Sequence, residues 1–111
     1  FVQAFRAMGR NPGRRLRCRL DEKERLFHVK FRGEDGVDWG GLFRDAITRM
    51  VDDCFSARFN LCLPCPNAAR AEGETSKDKY IPNPRHTSPM ALEMFEFLGK
   101  LIGVSMRHKL Y

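Results

Sequence analysis

Apolar side chains recur at helical spacing in three stretches of the chain and alternate with polar ones in two others. Val2, Phe5 and Met8 stand three apart ahead of an Asn11-Pro12-Gly13 cluster, which predicts a short helix stopped by a turn. Leu16, Cys18 and Leu20 then alternate with Arg15, Arg17 and Arg19, as Phe27, Val29 and Phe31 do with His28, Lys30 and Arg32. A period of two suits half-buried strands, so a strand is expected at each run, joined through the polar stretch 21–25. From Leu42 the period lengthens: Leu42, Phe43, Ala46, Ile47, Met50, Val51 and Cys54 share one stripe, with Arg44, Asp45, Thr48, Arg49, Asp52 and Asp53 opposite. That pattern predicts an amphipathic helix that needs a partner surface. Residues 59–65 and 79–82 read as short extended pieces flanking a solvated loop at 66–78. Ser88-Pro89 then supplies an N-cap and a first-turn proline for the longest helix, running to about Arg107. Leu92, Met94, Phe95, Phe97, Leu98, Leu101, Ile102, Val104 and Met106 nearly encircle it, as in a helix buried among others. Gly99 and Gly103, four apart, would let another backbone approach one side closely. The expected fold is α+β, mostly helical with short antiparallel strands.

Composition narrows the setting. No apolar run approaches the roughly 18 residues needed to cross a bilayer, and the opening FVQAFRAMG is too brief, and broken by Arg6, for a signal peptide. Cys18, Cys54, Cys62 and Cys65 are too few and too irregularly spaced for a secreted disulfide scaffold, so the cytoplasm, or the nucleus as well, is expected. The net charge of +6 is concentrated at one end, since residues 1–32 hold ten Lys or Arg against three acids. Such a segment could attract phosphates, but no aromatic lies between Phe5 and Phe27 to stack a base, and a solvated basic face is favoured over a nucleic-acid site. Phe1 opens inside an apolar run without an initiating Met, and Tyr111 follows Lys109-Leu110 with no helix stop; both predict a piece of a longer polypeptide.

The densest chemical motif is FRGEDGVDWGGLFRD at 31–45. It lacks the Gly-Lys-Ser/Thr ending of a phosphate loop and the G-x-G-x-x-G of a dinucleotide site, and Glu34, Asp35 and Asp38 would repel phosphate. Its acids do not follow the alternating order of a calcium loop, so no cofactor or metal is expected there. The favoured reading is structural: Gly33 and Gly36 turn the chain, Asp38 caps the next helix, and Gly40 and Gly41 permit close packing at its start. Cys62-Leu-Pro-Cys65 is a single CxxC that cannot fill a zinc site alone, and Pro66 rather than a helix follows it, which favours packing over metal or redox chemistry. His28, His86 and His108 stand isolated, and no nucleophile and base lie close in sequence.

The order of three motifs, VKFRGEDGVDWGGLFRD, then YIPNP, then FEFLGKLIGVSM, resembles the first part of the catalytic domain of HECT-type ubiquitin ligases. Phe31, Gly33, Glu34, Gly36, Asp38, Gly40, Gly41 and Arg44 meet the first motif of that family. Asn83 and Pro84 meet its Asn-Pro step, and Phe95, Phe97, Gly99, Lys100 and Gly103 meet its later helix. Asp45 is a shorter acid than usual, Ala46 replaces an aromatic, Ser56-Ala57-Arg58 replaces a second Asn-Pro, the serine expected after Asn-Pro is displaced to Ser88, and the loop at 66–78 is long. The resemblance is firm from about residue 26 onward and weaker over 1–25. It implies a fragment of the N-terminal lobe that helps position a thioester relay from a ubiquitin-conjugating enzyme, through a cysteine beyond Tyr111, to a substrate lysine. It implies no catalytic residue in this segment and leaves the substrate open. The rival reading is a non-enzymatic basic module that binds RNA or an acidic partner through Arg10, Arg14, Arg15, Arg17 and Arg19. A third is an inactive binding domain that folds alone; the apolar helix faces argue instead for aggregation or segment exchange between copies.

Overall fold

In a computed structural model the described residues are 1–17, 26–27, 29–30, 41–69 and 75–110. Helix α1 (Val2–Met8) is followed by a 3-10 turn at Gly13–Leu16, helix α2 (Gly41–Phe55), strand β1 (Cys62–Pro64), a second 3-10 turn at Pro66–Ala69, strand β2 (Tyr80–Pro82) and helix α3 (Pro89–Arg107). The architecture is α+β, dominated by helix, with one two-stranded antiparallel sheet.

The long helices form where the apolar period places them. In α2 the stripe resolves into buried Phe43, Ala46, Ile47 and Cys54 flanked by half-buried Leu42, Met50 and Val51, while Arg49 and Asp45 pair on the wet face at 2.9 Å. Helix α3 starts as expected: Ser88 Oγ accepts the Ala91 N–H at 3.2 Å and Pro89 occupies the first turn, where a missing amide donor costs nothing.

The two extended pieces pair with each other, in the register Cys62 with Pro82, Leu63 with Ile81 and Pro64 with Tyr80. The Cys65 N–H donates to the Lys79 carbonyl at 2.8 Å beyond the ladder. Pro64 and Pro82 each remove one donor, which keeps the strands short. So small a sheet is marginal by itself, and β1 lies against α2 for support.

Two expectations require correction. Leu16 is the buried end of a 3-10 turn, not the start of a strand; Pro12 fixes an extended entry and the three-residue period of the turn, rather than alternation, brings Leu16 inward. Phe27 lies in a bend and Val29 and Lys30 outside any strand, so the expected second strand has no support at those positions; its remaining residues, like Cys18 and Leu20, lie outside the described set.

Phe97 is completely buried and central to the core. Its ring meets Phe1 at 5.3 Å and Phe5 at 5.9 Å in tilted contacts, drawing α1 onto α3. Leu16, Phe43, Ile47, Cys54, Leu61, Leu101 and Val104 complete the cluster. A polar tie secures the same seam: Lys100 Nζ donates to the Gly9 carbonyl at 2.8 Å and pairs with Glu96 at 2.8 Å. Gly9 must be glycine here, because a Cβ would sit 2.5 Å from the Phe5 carbonyl oxygen.

Candidate interaction surface

Asn83 organises the connection that aims α3. Among the described residues it is the polar side chain that reaches burial. Its Nδ2 donates to the Asn60 carbonyl at 2.9 Å, its own N–H donates to the Leu61 carbonyl at 2.9 Å, and its Oδ1 accepts the Arg85 N–H at 3.0 Å. The last bond is the Asx turn that suits asparagine, and Pro84 follows at the position where a fixed φ assists the turn closed by the His86 N–H on the Asn83 carbonyl. Asn60 itself has a left-handed φ of 54°. The pair Asn83-Pro84 thus fastens the exit of β2 to the α2–β1 connection, and sets the direction in which α3 leaves.

Helix α3 has two apolar faces. One carries Phe97, Leu101 and Val104 into the core. The other carries Leu92, Ile102 and Met106, exposed by 59, 51 and 70 %, so the near-continuous apolar pattern is only half covered within this chain. This corrects the expectation of a helix buried all round. Beside that face, Ile47 and Val51 of α2 and Ile102, Met106 and Leu110 line an apolar groove of about 440 Å³. A second hollow of about 510 Å³ lies across α2, lined by Ala4, Met8, Phe27, Val29 and Met50. Gly99 and Gly103 are exposed, and a Cβ at either would meet nothing within 4 Å, so no backbone from the described residues approaches them.

Two of the described thiols, Cys54 and Cys62, are poor nucleophiles. Cys54 is fully buried, and its Sγ donates to the Met50 carbonyl at 3.2 Å. Burial first, then neighbouring Cys62, pushes its thiol up to about 12. Burial also raises Cys62, while Cys65 donates to the Ser76 carbonyl at 2.9 Å. The two members of the CxxC therefore occupy separate environments, and Cys54, Cys62 and Cys65 are free of disulfides. Among the described residues no group of three His, Cys, Asp or Glu side chains is placed to hold a metal ion. His108 packs against the Phe43 ring at 4.9 Å, and His86 is half-buried beside Leu61 and Ala91. No described helix is long and apolar enough to cross a membrane.

Comparison with known proteins decides the family. The chain is 34 % identical over 83 residues to the mouse E3 ubiquitin-protein ligase HERC2, a match covering 75 % of the chain. It is 28 % identical over 110 residues to the human probable E3 ubiquitin-protein ligase HECTD4, covering 96 %. It is 34 % identical over 92 residues to the fission yeast E3 ubiquitin-protein ligase pub1, covering 80 %. The chain belongs with the HECT-type ubiquitin ligases. It spans only 2 to 3 % of the length of HERC2 and HECTD4 and 11 % of pub1. No family model and no solved structure matches it.

Of the residues that carry the HECT resemblance, Phe31, Gly33, Glu34, Gly36, Asp38 and Gly40 lie outside the described set. Gly41 opens α2, and Arg44 sits exposed at the edge of the apolar groove. Asn83 and Pro84 form the clamp, Phe97 the centre of the core, Phe95 a half-buried support, and Gly99 and Gly103 the open side of α3. The structure does not gather the described ones into one pocket. Sequence reasoning missed the tie from Lys100 to Gly9 and the function of Asn83 as a clamp. An Asn-Pro step after a β-prone run was the available signal for the second.

Proposed function

We propose that residues 1–111 form the opening part of the N-terminal lobe of a HECT catalytic domain and serve ubiquitin transfer as rigid architecture. In this reading a ubiquitin-conjugating enzyme delivers ubiquitin as a thioester to a cysteine beyond Tyr111. The cysteine thiolate attacks the thioester carbonyl and the enzyme's thiolate leaves; a substrate lysine amine then forms the amide and releases the cysteine. The lobe contributes positioning, which makes encounter between the two thiols effectively intramolecular. Its place would be the cytoplasm, or the nucleus as well.

The observation that carries this reading is the burial of Cys54 and Cys62 among the described thiols. Buried Cys54, with its pKa raised to about 12, is almost wholly protonated near neutral pH, and attack requires the thiolate. The uncovered second face of α3 supports the same reading, since an element of a larger lobe needs such a surface. In the full-length protein, single Cys18→Ala, Cys54→Ala, Cys62→Ala and Cys65→Ala variants are expected to keep the reductant-sensitive ubiquitin adduct formed from a charged conjugating enzyme. Loss of the adduct in any one of them, with unchanged circular dichroism, would place the reactive thiol in this segment and overturn the proposal.

A further inference from the structure

The chain between β2 and α3 stays at the surface: residues 84–90 are exposed apart from half-buried His86. Ser88-Pro89, within this stretch, is the one Ser/Thr-Pro step in the sequence. Proline biases the residue before it towards extended backbone, and Ser88 has φ −65° and ψ 152°. An exposed hydroxyl on extended chain is the form in which a modifying enzyme's groove receives a substrate. The other described hydroxyls are less open to such a groove. Thr48 and Ser105 lie inside α2 and α3, Ser56 Oγ donates to the Asp53 carbonyl at 2.7 Å, and Ser76 has a left-handed φ of 63°. Thr75 and Thr87 have no proline after them.

The surroundings of Ser88 suit a phosphate once it is attached. The Ala91 N–H donates to Ser88 Oγ at 3.2 Å and the Leu92 N–H to the Ser88 carbonyl at 3.0 Å, while Pro89 has no N–H to give. The Met90 N–H has no acceptor among the described residues. Arg85, three residues ahead, is exposed and makes no ion pair among the described residues, so its planar fork is available to an oxyanion. His86 lines the same small hollow as Ser88. A phosphoryl group would bring about two negative charges and three acceptor oxygens to these donors. It would also stand at the positive end of a 19-residue helix.

We propose that Ser88 is a phosphorylation site for a proline-directed protein kinase, and that the phosphate locks the start of α3. Ser88 Oγ attacks the γ-phosphorus of ATP, the bond to the bridging β-oxygen breaks, ADP leaves, and the hydroxyl proton passes to the kinase's carboxylate base. The site is separate from ubiquitin transfer and does not depend on the ligase reading. The test incubates the full-length protein with magnesium-ATP and a cyclin-dependent kinase, and maps phosphate by peptide mass spectrometry. Ser88 is expected to be modified in the folded protein. Pro89→Ala should slow that modification several-fold by relaxing the extended backbone, and alanine suits the first helical turn, so the variant should fold as the parent does. Amide exchange at Met90 and Ala91 should then slow by about two- to fivefold, the usual worth of a negative charge at a helix start. A phosphorylated peptide of residues 83–94 corrects for the intrinsic effect of the charge on exchange. Arg85→Ala should leave Ser88 modified and lose part of the slowing. Any of the following would overturn the proposal: no phosphate on Ser88 in the folded protein, equal rates of modification in the parent and Pro89→Ala, or exchange at Met90 and Ala91 that is unchanged or faster after phosphorylation.

Discussion

A single residue can determine how two connections meet, and Asn83 does so with two side-chain hydrogen bonds, to Asn60 and Arg85, and a third from its backbone N–H to Leu61. Asn83→Ala would leave the Asn60 carbonyl without its donor and the Arg85 amide without its acceptor in a partly buried site. The expected loss is about 1 to 3 kcal/mol, measured as a lowered midpoint in urea. Asn83→Asp should be no better, since it sets a carboxylate oxygen against the Asn60 carbonyl. Cys54 gives a prediction in pH. Its thiol ionises near 9 in an unfolded chain and near 12 in the folded one, so the unfolded state loses its proton first. Stability from this group is complete below about pH 9 and is lost as pH rises through 12. Melting temperature should therefore fall across that window by less in Cys54→Ala than in the parent. Cys54 should also resist alkylation at pH 8 until denaturant is added.

At the scale of elements, α2 and α3 were legible because each combines a sustained 3.6-residue period with punctuation: Ser88-Pro89 opens α3, and the acid-rich face of α2 is unambiguous. The extended pieces were legible too, although their mutual pairing depends on a register that only the folded chain displays. Leu16 misled because one buried residue between arginines looks the same in a 3-10 turn as in a strand. The uncovered face of α3 could not be foreseen, since periodicity states how much of a helix is apolar and says nothing of which neighbours are present. The whole of the motif stretch 31–40 lies outside the described residues. The glycines of α3 offer a test of what lies beyond. With empty space around each, Gly99→Ala and Gly103→Ala should stabilise the isolated segment by about 0.5 to 1 kcal/mol apiece through helix propensity. In the full-length protein the same changes should destabilise if another backbone packs there, and differential scanning calorimetry of both would show the reversal of sign.

For the whole molecule, the balance of covered and uncovered apolar surface governs behaviour. Phe97 and its neighbours form a genuine core, yet Leu92, Ile102 and Met106 remain in water alongside the apolar groove between α2 and α3. The segment expressed alone should self-associate with rising concentration in analytical ultracentrifugation. Ile102→Glu combined with Met106→Glu should restore a monomer without lowering its melting temperature, because both positions are exposed. In the full-length protein the same pair is expected to cost several kcal/mol if further chain covers that face.

The tie between Gly9 and Lys100 joins residues 91 positions apart. During synthesis α1 leaves the ribosome long before its anchor exists, and at ordinary translation rates the delay is on the order of 5 to 20 seconds. Through that interval Phe1 and Phe5 have no Phe97 to pack against. Docking of α1 therefore has to follow synthesis of α3, and it marks the moment at which the two ends of this segment first close on one another.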